Sequence, residues 1–142
     1  MTNTEKLIEE VDVLNNEAAY LEVRELLTPE ILLEHNDADL YRAVGIALDK
    51  TREYKQAIAA YTTALVLRPG DSDLLLLRAE AFSNHGEFDK AFADINESME
   101  ILEPYSGHYI TLGNVWLDKK EYVKAHENYD KAIELAPEDK SG

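Results

Sequence analysis

The chain has 142 residues, enough for one ordinary domain with a real core, and its 29 acidic against 14 basic residues leave a formal charge of −15. Phosphate backbones and anionic lipid surfaces would be repelled by most of that exterior, which argues against nucleic acid and membrane surfaces as partners and leaves cationic protein surfaces as the class attracted. Cysteine is absent, so there is no disulfide framework and no thiolate for catalysis or zinc; with no basic leader and no long apolar run, a cytoplasmic protein is the simplest expectation.

The first predicted element is a helix over residues 4–15, because Thr2 and Glu5 have capping-box spacing and Leu7, Ile8, Val11 and Leu14 make an apolar stripe. A second helix is predicted from Glu17 to Leu27, burying Tyr20, Val23, Leu26 and Leu27. Thr28-Pro29-Glu30 then opens a short helix through Ile31, Leu32 and Leu33, with proline at the first helical position. Residues 1–37 therefore read as an N-terminal helical cap, a degenerate helical pair that covers the unit after it.

From Ala38 the chain repeats itself: frames of 34 residues begin at Ala38, Ser72 and Ser106 with no gap between them. In the first half of each, position four is Tyr41, Leu75 or Tyr109, position eight is Gly45, Ala79 or Gly113, and position eleven is Leu48, Phe82 or Trp116. Those spacings share one helical stripe. The second half carries Tyr54, Phe88 and Tyr122 at position 17, Ala57, Ala91 and Ala125 at position 20, Tyr61, Ile95 and Tyr129 at position 24, and Ala64, Ser98 and Ala132 at position 27.

Small residues thus alternate with large ones. Two antiparallel helices approach closely where a small side chain on one faces a bulky one on the other, so a recurring spelling means a recurring contact. Asp37, Asp71 or Ser72, and Ser106 are the expected N-caps of the first helices. Turns at Thr51-Arg52, His85-Gly86 and Lys119-Lys120 divide each unit, and Pro69, Pro104 and Pro137 stop the second helices.

On these residues the chain resembles the tetratricopeptide repeat family. The first unit matches through Tyr41, Val44-Gly45, Leu48, Ala57, Tyr61, Ala64 and Pro69, and the third through Tyr109, Leu112-Gly113, Trp116, Ala125, Tyr129, Ala132 and Pro137. The second is looser, with Arg78-Ala79 for the Leu-Gly pair and its proline one position late at Pro104. The resemblance implies an all-α, right-handed α-solenoid with repeats at 38–71, 72–105 and 106–139, a repeat domain over 38–138 and a C-terminal tail at 139–142.

No phosphate loop, metal-binding helix motif or nucleophile elbow is present, so no enzyme, cofactor or metal is expected. The four histidines have no helical i, i+4 pairing, and the carboxylate pairs Asp37/Asp39 and Asp71/Asp73 stand where helix N-termini favour negative charge. Arg78 replaces an aliphatic residue at position seven, and Asp94 is the sole aspartate at position 23 of the facing helices. A buried guanidinium needs a carboxylate, so these two are expected to pair. The aromatic residues, Tyr122 included, fall on core positions.

In the family the first helices line a concave side that holds peptides. The outward positions carry Arg42, Ile46, Asp49, Asp73, Leu76, Leu77, Glu80, Ile110, Asn114 and Leu117, the candidate peptide-binding groove. Ile46, Leu76, Leu77, Ile110 and Leu117 form an apolar strip, and Asp39, Asp49, Asp73, Glu80 and Asp118 a rim. The expected partner is therefore a protein segment with aliphatic anchors and basic residues.

The family's two-carboxylate clamp for chaperone tails needs lysine, asparagine and arginine where this chain has Arg42, Ile46, Leu77, Gly107 and Thr111. Moving the frame to the N-terminal pair gives Ile8, Asp12, Ala43, Asp73 and Leu77, which is no better. Two other readings stay open: a small secretion-type chaperone for a hydrophobic client, or a regulatory domain of a larger protein. Ile133 and Leu135 lie where a following helix would cover them, which opens self-association through the C-terminal helix.

Overall fold

The computed structural model describes residues 1–136. They form nine α-helices: α1 (Asn3–Asn16), α2 (Tyr20–Leu26), α3 (Pro29–His35), α4 (Ala38–Lys50), α5 (Tyr54–Leu67), α6 (Ser72–Asn84), α7 (Phe88–Ile101), α8 (Ser106–Asp118) and α9 (Tyr122–Leu135). Pro137 and the tail at 139–142 lie outside the described residues. Among these residues no helix is long and apolar enough to cross a membrane.

At the N-terminus the capping box is present: Thr2 Oγ1 accepts from the Glu5 N–H at 3.1 Å and Glu5 Oε1 accepts from the Thr2 N–H at 3.3 Å. The second helix begins at Tyr20 rather than Glu17, because the chain reverses through Ala18 in a left-handed conformation at φ 59°. Thr28 caps α3 through the Ile31 N–H, with proline in the first turn as expected.

Each repeat is a hairpin, α4/α5, α6/α7 and α8/α9. The turns reverse through a left-handed residue, Arg52 (φ 65°), Gly86 (φ 80°) and Lys120 (φ 64°). Asp37 caps α4 through the Asp39 N–H, and Asp71 caps α6 through the Leu74 N–H. The third unit departs from expectation: Ser106 is already helical, and the His108 ring reaches back to accept from the Tyr105 N–H at 3.2 Å. The imidazole at the third helical position thus meets the amide of the N-cap residue, the role that Glu5 plays in α1.

First helices α1, α4, α6 and α8 pack side by side as one layer. The second helices lie behind them, with α5 against α6 and α7 against α8. Ala57, Ala91 and Ala125 are all but fully buried. A Cβ on Gly45 would come within 2.5 Å of Tyr61 Cε1, and one on Gly113 within 2.5 Å of Tyr129 Cε1. In the second unit the same contact is made by Ala79 and Ile95, both fully buried: the partner has lost its ring and the glycine has gained a methyl. Opposed positions therefore trade volume to keep the helices at one distance.

Tyr122 is a correction to the aromatic core. It is 63 % exposed, because no described helix lies beyond α9 to cover it, whereas its equivalents Tyr54 and Phe88 are half-buried. Arg78 and Asp94 do pair, through two bonds of 2.7 Å from Nε and Nη2 to the two carboxylate oxygens, with Asp94 only 5 % exposed.

Candidate functional site

Two depressions cross the layer of first helices. The more polar one, about 280 Å³, is bounded by Asp49 and Lys50 of α4, Glu80, Ser83 and Asn84 of α6, and Asn114, Leu117 and Asp118 of α8. The second, about 220 Å³, lies toward the N-terminal ends of α6 and α8, between Asp73, Leu76, Leu77, Tyr105, Ile110 and Thr111. Glu80 borders both.

A hydrogen-bond framework fixes the polar depression. Asn84 donates to Asp49 at 3.0 Å, Ser83 Oγ donates to Asp118 at 2.6 Å, and the Tyr129 hydroxyl donates to Asn114 Oδ1 at 2.6 Å. Burial pushes the carboxyls of Asp49 and Glu80 above the usual carboxylate range, and the mutual repulsion of the pair adds to the shift at Glu80. Burial thus disfavours the ionised form of each, a cost that a cation entering the groove would relieve.

The sequence-derived groove residues divide into three groups. Asp49, Glu80, Asn114 and Leu117 meet in the polar depression, while Asp73, Leu76, Leu77 and Ile110 meet in the other. Arg42 and Asp73 are tied to each other at 3.1 Å across α4 and α6, so each charge already faces its opposite. Ile46 and Leu77 are half-buried against the first core cluster.

Leu76 is a correction. At 6 % exposure it packs with Ala79, Ala91, Ile95 and Val115 and only floors the depression. Ala43, Ser83 and Thr111, also on outward positions, are buried for the same reason: neighbouring first helices touch along their flanks, so only the middle of each outward face is open. Ile110 at 46 % and Leu117 at 45 % are the exposed apolar groups.

Tyr105 was not foreseen as a groove residue. Its ring lies over the start of α8, where a side chain on Gly107 would come within 2.6 Å of it. The one available signal was an aromatic residue in the place where the other units have a capping aspartate. A further depression of about 390 Å³, lined by Leu27, Leu32, Val44, Leu48 and Ala60, opens beside the short α2 and α3, away from α6 and α8.

His108, fully buried with Ser98, joins the second unit to the third. Since Nδ1 accepts from the Tyr105 N–H, the ring proton sits on Nε2, which donates to Ser98 Oγ at 2.9 Å; Ser98 in turn donates to the Ser72 carbonyl at 3.2 Å. This tautomer offers Ser98 no basic nitrogen, so the pair is a tether and not a nucleophile with its base.

Burial also holds the His108 pKa below the ordinary histidine value. The unfolded chain then binds the proton more readily, so stability is complete above about pH 6.5 and falls as the pH drops toward the folded value. Urea titrations of wild type are expected to show stability falling as the pH is lowered from 7 to 5.5. His108→Gln should flatten that slope; parallel profiles for the two proteins would remove the histidine from the explanation.

Residues 109–139 match the tetratricopeptide repeat family model. The heat-shock protein cognate co-chaperone sgt12 of Aspergillus fumigatus is 34 % identical over 98 residues, which are 69 % of this chain and 29 % of that protein. The chain thus spans under a third of that curated relative. The crystal structure of the Sgt2 TPR domain from Aspergillus fumigatus is 33 % identical, with a TM-score of 0.60 over 76 % of this chain and 67 % of that one. The crystal structure of MamA superimposes with a TM-score of 0.73 over 94 % of this chain and 78 % of that one at 21 % identity, a likeness of fold.

Proposed function

Because the chain belongs to the tetratricopeptide repeat family, we propose that it is a non-catalytic protein-interaction scaffold whose first-helix layer holds a segment of another protein. The observation that carries this reading is the composition of the groove: exposed Ile110 and Leu117 stand beside Asp49 and Glu80, two carboxylates whose burial leaves their charge poorly solvated. A segment bearing an aliphatic side chain and a lysine or arginine would bury the first and neutralise the second. The wider charge of −15 would draw such a segment in and keep nucleic acid and anionic lipid away. A chain without cysteine suits a cytoplasmic setting.

Kinship with a co-chaperone does not bring a clamp for acidic chaperone tails into this groove. A clamp needs cations converging on a terminal carboxylate; here Arg42 is paired with Asp73, Ile46 is apolar, and Thr111 is buried and donates to the Gly107 carbonyl. The sign of the groove favours a basic guest.

Panning a random peptide library on the immobilised chain tests the proposal. Enriched peptides are expected to combine aliphatic with basic residues. Ile110→Glu with Leu117→Glu should weaken the best of them about tenfold or more, and Glu80→Lys should shift selection toward acidic peptides. Circular dichroism would establish that the variants remain folded. Unchanged binding by the double variant, or enrichment indifferent to the Glu80 charge, would defeat the groove as the site.

A further inference from the structure

We propose that α9 is a self-association surface, on which a second copy of this chain docks its own α9 in antiparallel orientation. Tyr122 is 63 %, Val123 73 % and Ile133 72 % exposed, and at 100° per residue they fall with His126 and Asp130 within about a third of the helix circumference. Leu135 follows Ile133 by two residues and so points to the opposite side, outside this stripe.

The stripe is not merely the place where another repeat would stack. Tyr122 and Ile133 occupy positions that an adjoining first helix half-covers in the inner units, as at Phe88 and Met99. Val123 does not: its equivalents Lys55 and Asp89 stay exposed although their units do have a neighbour. An apolar residue at a position that stacking leaves open fits a partner approaching from outside the array.

Charge and shape select the second copy as that partner. Residues 1–37 hold 2 basic and 10 acidic side chains, whereas residues 106–136 hold 4 and 5, so of the two ends of the array the C-terminal one repels a second copy less. At the other end of the array, Val13 of α1 shares its depression with Leu14 but also with Lys6, Glu9 and Glu10, so charged side chains border most of that apolar surface.

The α9 stripe, by contrast, is its own complement. Residues 123 and 133 are equidistant from position 128, as are 126 and 130. A two-fold axis there sets Val123 against Ile133 of the second copy and His126 against Asp130 of the second copy, each contact made twice. Within one chain His126 Nε2 and Asp130 Oδ2 lie 3.5 Å apart on the exposed face, which puts both at the axis. A single 14-residue helix offers less area than a standard interface, so the dimer is weak, with a Kd on the order of 10–100 μM.

Sedimentation velocity over a concentration series up to about 1 mM, bracketing that Kd, tests this. Wild type is expected to pass from monomer to dimer and stop there, and Ile133→Glu to remain monomeric with an unchanged melting temperature. His126→Glu should weaken the dimer about tenfold by facing Asp130 of the second copy, and adding Asp130→Arg should restore it. Wild type monomeric throughout, an Ile133→Glu variant that still dimerises, growth beyond the dimer, or no recovery in the charge-swapped double variant would each overturn the proposal.

Discussion

Replacing Asp94 with alanine is expected to destabilise the protein by about 3 kcal/mol, the low end of the range for breaking a buried ion pair. Asp94 is 5 % exposed and accepts both bonds of the Arg78 fork at 2.7 Å. Its removal leaves a guanidinium whose side chain is only 20 % exposed, with the Thr62 hydroxyl at 3.3 Å as its remaining side-chain hydrogen-bond partner and the Phe82 ring 5.5 Å away. Arginine stays charged, so it cannot relieve the cost by losing its proton. The double variant Asp94→Ala/Arg78→Leu should recover much of the loss, because the first and third units carry Val44 and Leu112 at the position of Arg78. Chemical denaturation of the single and double variants checks this; equal midpoints would mean that the pair does not act as a unit.

The second large effect belongs to Gly45. An alanine Cβ there would stand 2.5 Å from a ring carbon of Tyr61, which is 1 % exposed and has no room to move. A loss of about 2 kcal/mol is expected, even after the roughly 1 kcal/mol that alanine returns through helix propensity. Gly113→Ala makes the same clash with Tyr129, but that ring is only half-buried in the terminal hairpin and can yield, so its cost should be clearly smaller. Pairing Gly45→Ala with Tyr61→Ile reproduces the Ala79/Ile95 contact of the second unit, and its cost should fall below the sum of the two single changes by about 1 kcal/mol. Thermal melts of the four proteins decide this, and strict additivity would show that the two positions do not share a contact.

These contacts were legible because the repeat displays them more than once in different spellings. Gly45 with Tyr61, Ala79 with Ile95, and Arg78 with Asp94 each change together within one unit, and such joint change reveals a shared boundary. The groove was less legible. A helical wheel places Leu76 and Thr111 outward on α6 and α8, yet both are buried, because the open width of a helix depends on how closely its neighbours lie, a tertiary distance that no single wheel contains. Tyr122 failed for the complementary reason: its own helix fits the pattern, and only the absence of a described helix beyond α9 exposes it.

The His108 tether was hidden as well. Its partners Ser72 and Ser98 lie in two other helices, and a histidine examined for metal-ligand spacing gives no hint of them. The late start of α2 turns on the left-handed Ala18, a conformation that alanine rarely takes and that propensity does not predict.

The Gly-aromatic contacts and the exposed Ile110 and Leu117 lie on different faces of the same helices. Frame and recognition are therefore separable: the inner face fixes how far apart the two helices of each hairpin stand, while the outer residues can be exchanged with little effect on that spacing. New binding preferences are thus open to this architecture by substitution at a few outward places, without a new skeleton to support them.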